Sequence, residues 1–121
     1  MSLGQERIKF HPIVNETIAK HTEELLNLPD PPRGIFATSD IQAVEVVKTA
    51  GRMGWRIPED LAVLGFDNID LAGHMEISTI DQCLDESGRA GMELLMQRIK
   101  EPERPLQTID IRLSVIERGT T

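Results

Sequence analysis

Apolar positions recur in two rhythms along the 121 residues. Residues 13–27, IVNETIAKHTEELLN, place Val14, Ile18, Leu25 and Leu26 roughly on one face of a 3.6-residue period, which predicts a helix. LPDPPRG then breaks the chain with three prolines and a glycine. RGIFAT, 33–38, is short, apolar and β-prone. IQAVEVVKTAGRMG, 41–54, returns to helical spacing, with Asp40 a candidate N-cap and Gly54 a candidate stop. WRIPED is a second break, and LAVLGF, 61–66, a second strand. CLDESGRAGMELLMQRIK, 83–100, carries Leu84, Gly88, Met92, Leu95 and Ile99 at helical spacing, with Asp85 a candidate cap. After EPERP the rhythm becomes two: Ile109, Ile111, Leu113 and Val115 alternate with Asp110, Arg112 and Ser114. This predicts a strand with one wetter face near a sheet edge.

The first two strands are apolar at successive positions, the pattern of strands buried on both faces of a parallel sheet between helices. Strand, helix and strand between 33 and 66 form a βαβ unit with a right-handed crossover. The class over 33–78 is therefore α/β. Ligands of open parallel sheets sit outside the carboxyl ends of the strands. Here one strand runs into Thr38, Ser39 and Asp40, the other into Asp67, Asn68 and Asp70. Two polar clusters at one rim suit a small polar ligand. Turn chemistry accounts equally for Asp67 and Asn68, and helix capping for Asp40.

Composition narrows the partners. The hydrophobic fraction is 40 % and the charged fraction 27 %, ordinary for a globular chain. A net charge of −7 disfavours direct grip on a phosphate backbone. A single cysteine, Cys83, excludes an internal disulfide and fits a reducing compartment. No apolar run is long enough for a bilayer, and MSLGQERIKF lacks a signal-peptide pattern, so neither membrane nor export is expected. His11, His21, His74 and Cys83 lack metal-ligand spacing, and no nucleophile elbow or phosphate loop occurs, so no metal, no cofactor and no enzyme activity are expected. Trp55 either stacks on a sugar or covers a helix end. The methionines, Met92 and Met96 among them, read as core filler.

PPRGIFATSDIQAVEVVKTAGRMGWRIPEDLAVLGFDNIDLAG, STIDQCLDESGRAGMELLMQRI and IDIRLSVIERGTT together resemble the C-terminal part of LacI/GalR-type transcriptional regulators. The resemblance covers nearly all of 25–121, and its motifs are specific in combination: Ser-Asp after an apolar strand, IPEDLAVLGFDN, STIDQ, GRAG and a closing ERGT. It implies a truncated periplasmic binding protein type I fold with a Rossmann-like, parallel-sheet subdomain. Residues 1–4 are then a leader, 5–78 and 106–118 the C-terminal subdomain of the effector-binding domain, and 79–105 a crossover and helix of a mostly missing N-terminal subdomain.

The resemblance also implies a small-molecule effector, most simply a sugar, in a cleft between subdomains. Asp67 matches the family position of an effector-contacting carboxylate and Ser39 that of another polar contact; Asn68 is taken with them as ligand-binding, while Asp40 is more easily read as the cap. Operator DNA is bound through a headpiece absent from this chain. Members dimerise, and a cytoplasmic location follows. Glu45 departs from the pattern, since the family places a small residue there. The alternative is a fragment of a periplasmic-type sugar-binding transport protein; an α/β enzyme is the third class. With its partner sheet missing, the stripe of Leu84, Met92, Leu95 and Ile99 is expected to mediate self-association as a homodimer, or else to fold back on the chain's own sheet.

Overall fold

The computed structural model describes residues 4–9 and 15–121. Val14, His11 and residues 1–3 lie outside the described residues. A short turn at Gln5–Arg7 precedes helix α1 (Asn15–Leu26), strand β1 (Gly34–Phe36), helix α2 (Asp40–Arg52) and strand β2 (Ala62–Phe66). Helix α3 (Asp70–His74), strand β3 (Ser78–Asp81), helix α4 (Leu84–Lys100) and strand β4 (Ser114–Ile116) follow. The strands lie in the order β1-β2-β3-β4. β1 is parallel to β2 with Ile35 beside Val63, β2 is parallel to β3 with Gly65 beside Thr79, and β4 closes the edge antiparallel with Val115 beside Ile80.

The core lies between the sheet and the α1–α2 pair. Ile18 and Leu26 of α1 meet Ala43, Val44, Val46 and Ala50 of α2 above Leu61, Val63 and Ile77. Helix α2 ends as its sequence predicts. Gly54 takes φ +85, its N–H donates to Gly51 O (3.1 Å), and the Trp55 N–H donates to Ala50 O (3.0 Å). That pair of bonds is a Schellman closure, which satisfies carbonyls the helix end would leave orphaned. Trp55 packs on the core at this point, covering the helix end. Glu45, the departure from the family pattern, is mostly buried and faces Arg52 at 3.5 Å.

Four expectations are corrected. First, burial along β2 alternates: Leu61 and Val63 are fully buried, while Ala62, Leu64 and Phe66 are only half-buried. Among the described residues no helix layer covers that second face, and Phe36 remains exposed on it. Second, the alternating tail pairs only at Ser114–Ile116; Ile109, Leu113 and Val115 are exposed, because nothing among the described residues packs on their side. Third, α4 buries none of its residues, so Met92 and Met96 are surface, not core, and the helix does not fold back on the sheet. Fourth, α4 is not capped by Asp85: the N-cap is Cys83 in a left-handed conformation, with Asp85 in the first turn, where its charge complements the helix dipole.

The loop before β2 carries an isolated electrostatic device. The Asp60 carboxylate accepts from Arg56 Nε and Nη2, both at 2.7 Å, and from the Arg56 backbone N–H at 3.1 Å. The guanidinium bonds, then the backbone bond, pull the Asp60 carboxyl from 3.8 down to about 2. A carboxyl depressed by folding stabilises the folded state above its ordinary value, and that contribution disappears as pH falls through the depressed one. A carbon-13 NMR titration of Asp60 is therefore expected to show a midpoint near 2. A midpoint near 3.8 would mean that the pair does not persist in solution.

Candidate functional site

Parallel pairing brings the carboxyl ends of β1, β2 and β3 to one rim. Ser39 follows β1, Asp67 and Asn68 follow β2, and Asp81 and Gln82 end β3. The Asp67 N–H donates to Ile80 O (3.0 Å), extending the β2–β3 pairing one step beyond the strand. The chain then turns through two non-glycine residues of positive φ, Asp67 at 113° and Asn68 at 54°. Such conformations cost about 1–3 kcal/mol each and persist where surrounding bonds over-determine them.

Those bonds are present. The half-buried Asp67 carboxylate accepts from Gln82 Nε2 at 2.5 Å. Asn68 accepts through Oδ1 from Arg118 Nη2 (2.8 Å) and donates through Nδ2 to Asp81 Oδ2 (3.2 Å), while its N–H donates to Thr79 Oγ1 (3.4 Å). Asp81 Oδ1 accepts from the Cys83 N–H at 2.8 Å. Desolvation first, then the negative charges of Asp81 and Glu86, push the Cys83 thiol above its ordinary range, which keeps it protonated and a poor nucleophile.

The expectation that Asp40 caps α2 is corrected. Ser39 is the N-cap of α2: its backbone is extended and its hydroxyl accepts from the Gln42 N–H (3.4 Å). Asp40, read as the cap, is the first helical residue and fully buried. Its carboxylate accepts from the Ile69 N–H (2.9 Å) and the Thr79 hydroxyl (2.5 Å), which fastens the β2–α3 loop and β3 to α2. The physical reason is space. Gly65 of β2 leaves room for the carboxylate, and a Cβ at Gly65 would collide with Asp40 Oδ1. Gln82 and Arg118 were not singled out in the sequence; the parallel register of β3 and the return of the chain after β4 bring them to the rim.

The arrangement has a definite chemistry. Asp67 is an acceptor-only carboxylate and Gln82 an amide with both donor and acceptor, side by side at a partly open sheet end. Such a pair suits a ligand with adjacent hydroxyls. Among the described residues no group of three or more His, Cys, Asp or Glu is placed to hold a metal ion, and no helix is long and apolar enough to cross a membrane. A surface depression beside Arg33, Trp55 and Asp60 lies at the opposite end of the sheet, so Trp55 has no part in the rim.

The sheet is mostly parallel and open, with polar groups gathered at its carboxyl rim, and the family described as periplasmic binding protein-like domain matches residues 4–121. The chain belongs to that family, within the effector-binding domain of LacI-type transcriptional regulators. The HTH-type transcriptional repressor CytR of Escherichia coli K12 is 40 % identical over 87 residues, 70 % of this chain and 26 % of its own length. A transcriptional regulator of the LacI type from Bacillus cereus subsp. cytotoxis superposes with a TM-score of 0.93 at 25 % identity, over 100 % of this chain and 44 % of that one. A LacI family regulator from Enterococcus faecium, solved with bound ribose, has a TM-score of 0.79 at 29 % identity over 90 % of this chain and 41 % of its own. The chain thus spans about a quarter of the length of that curated relative and less than half of those two solved structures.

Proposed function

We propose that this chain is the effector-sensing part of a DNA-binding transcriptional regulator acting in the cytoplasm, and that its rim holds a small polyhydroxylated molecule, most simply a sugar. The observation that carries the reading is the Asp67–Gln82 pair at the carboxyl end of parallel strands, on backbone held at positive φ. Asp67 grips ligand hydroxyls, Asn68 orients the loop and adds an amide, and Ser39 lines the adjacent strand end. The ribose-bound Enterococcus relative supports the ligand class. Repressor relatives favour the regulator over a transport protein or an enzyme. Operator contact falls to a headpiece outside these residues, consistent with the net charge of −7. The division expected from the resemblance, 5–78 and 106–118 as one subdomain and 79–105 as a crossover and helix of the other, needs its first border moved, because Thr79, Ile80 and Asp81 lie in β3 and pair with β2 and β4 of the same sheet.

A thermal-shift screen of the full-length gene product against pentoses, hexoses, nucleosides and purines tests the reading. A ligand at a hundred times its Kd stabilises by about 2.7 kcal/mol. A rise of several degrees with one polyhydroxylated class is expected; no rise with any sugar or nucleoside at millimolar concentration contradicts it.

For the 121-residue chain by itself the reading includes self-association through α4. Leu84, Met92, Leu95 and Ile99 are each more than half exposed, and the same chain carries a bare sheet face with Phe36 and Val115 exposed. A second copy supplies both missing partners: the helix of one laid on the open sheet of the other buries two apolar faces at once, symmetrically. Each such side chain contributes about 1.5–3 kcal/mol when buried. Light scattering at micromolar concentration is expected to give a dimer, and Met92→Glu or Leu95→Glu to shift it to monomer. A monomer from the unaltered chain, or a variant dimer of unchanged affinity, would defeat this contact.

A further inference from the structure

The rim is wired to the start of α4 by a hydrogen-bond relay that no ligand contact requires. Arg118 lies just beyond β4, where its backbone N–H donates to Ser78 Oγ (2.9 Å) and Nη1 donates to Ile77 O (2.7 Å). These two bonds fix the guanidinium along β3 and leave Nη2 to donate to Asn68 Oδ1 (2.8 Å). Because Asn68 accepts through Oδ1, its Nδ2 is directed to Asp81 Oδ2 (3.2 Å). The other Asp81 oxygen accepts from the Cys83 N–H (2.8 Å), and Cys83, at φ 50° and ψ 54°, is the residue that turns the chain into α4. Three segments far apart in sequence are joined in series: the tail after β4, the β2–α3 loop, and the end of β3 with the turn into α4 that follows it.

We propose that Arg118 is a positioning residue: through Asn68 and Asp81 it sets the left-handed turn at Cys83, so that a change at the ligand rim is transmitted to the orientation of α4. The part that concerns the ligand rests on the reading of the rim given above; the relay itself does not. Its members have the chemistry a relay needs. Arg118 is a fixed planar donor and Asp81 an acceptor with both oxygens engaged. Asn68 is the one side chain between them that both accepts and donates. A ligand hydroxyl that draws on Asn68 competes with the bond that holds Asp81.

Amide hydrogen exchange followed by NMR, on the 121-residue chain without any ligand, tests the relay. Arg118→Met is expected to speed exchange at the Cys83 amide about tenfold, the protection given by roughly one charge-assisted hydrogen bond, and to leave α2 interior amides such as Val46 unchanged. Arg118→Lys, which keeps a donor in reach of Asn68, is expected to restore part of the protection. Asn68→Gly keeps the positive φ but cuts the relay in the middle, and should release Cys83 as Arg118→Met does. Arg118→Met added to Asp81→Asn should produce no further change at Cys83, the non-additivity of residues in series. Unchanged Cys83 exchange in folded Arg118→Met overturns the proposal. So does acceleration spread evenly over the sheet and α2, the result of a merely structural loss. If Arg118→Met does not fold, Asn68→Gly decides in the same way, since the main-chain bonds of Arg118 remain. A positive exchange result with no ligand found in the thermal screen would sink the ligand reading and leave the relay standing; the reverse pattern would do the opposite.

Discussion

Asp40→Ala is expected to lower folding stability by about 2–4 kcal/mol, the loss of two charge-assisted hydrogen bonds together with two donors left unpaired in the interior. The carboxylate is fully buried, and the groups it would strand are the Ile69 N–H and the Thr79 hydroxyl. A fall of this size is a large part of the total stability of a small domain, about 5–15 kcal/mol. The partner of this effect is Gly65. Adding a methyl group there drives a Cβ into Asp40 Oδ1 and to 3.3 Å from the Ala43 Cβ, so Gly65→Ala alone should cost about 1–3 kcal/mol through overpacking. In the Asp40→Ala background the new methyl group enters the space vacated by the carboxylate, and Gly65→Ala should cost much less. Urea unfolding of the two single variants and the double variant, at unchanged m, measures the coupling. Additive losses, or a loss below about 0.5 kcal/mol for Asp40→Ala, would show that the carboxylate does not fasten the loop.

That pair also marks where local sequence stops being informative. Serine and aspartate are both good N-caps, so Ser39-Asp40 offers two candidates at one helix start. The choice is made by Gly65 and Thr79, which leave a slot and a donor for Asp40, so that Ser39 is the residue that caps. Strand β3 was hidden for a related reason. Ser78 and Thr79 are polar, yet both are fully buried, with hydroxyls engaged by Arg118 and Asp40 some forty residues away in sequence. By contrast β2 and α2 were legible, since an apolar run bounded by WRIPED and DNID, and a helix stopped by Gly54, carry their causes locally. The amphipathic stripe of α4 was equally legible, but its exposure was a question about a missing partner, which periodicity does not answer. At the site, Asp67 and Asn68 stood out as a polar end to an apolar strand. Gln82 and Arg118 did not, because only the register of β3 and the return of the chain after β4 place them there.

The arrangement around Asp40 matters to function because the loop it holds is the one that presents Asp67. Asp67 is half-buried, its backbone sits at φ 113°, and Gln82 steadies its carboxylate. A ligand hydroxyl donating to that carboxylate gains a charge-assisted bond worth about 1.5–3 kcal/mol, and removing the carboxylate leaves the hydroxyl without its acceptor. Asp67→Ala is therefore expected to weaken binding about ten- to a hundredfold. Glu59 makes an informative control, because it is an exposed carboxylate in the loop before β2, at the opposite end of the sheet. The measurement that bears most directly on the assignment of the rim is a calorimetric titration of the full-length gene product with the sugar or nucleoside that gives the largest thermal shift. It compares the unaltered protein, Asp67→Ala and Glu59→Ala, each shown to be folded. The account predicts a Kd raised about ten- to a hundredfold by Asp67→Ala and unchanged by Glu59→Ala. Equal affinity in all three proteins would place the ligand away from this rim and contradict the account.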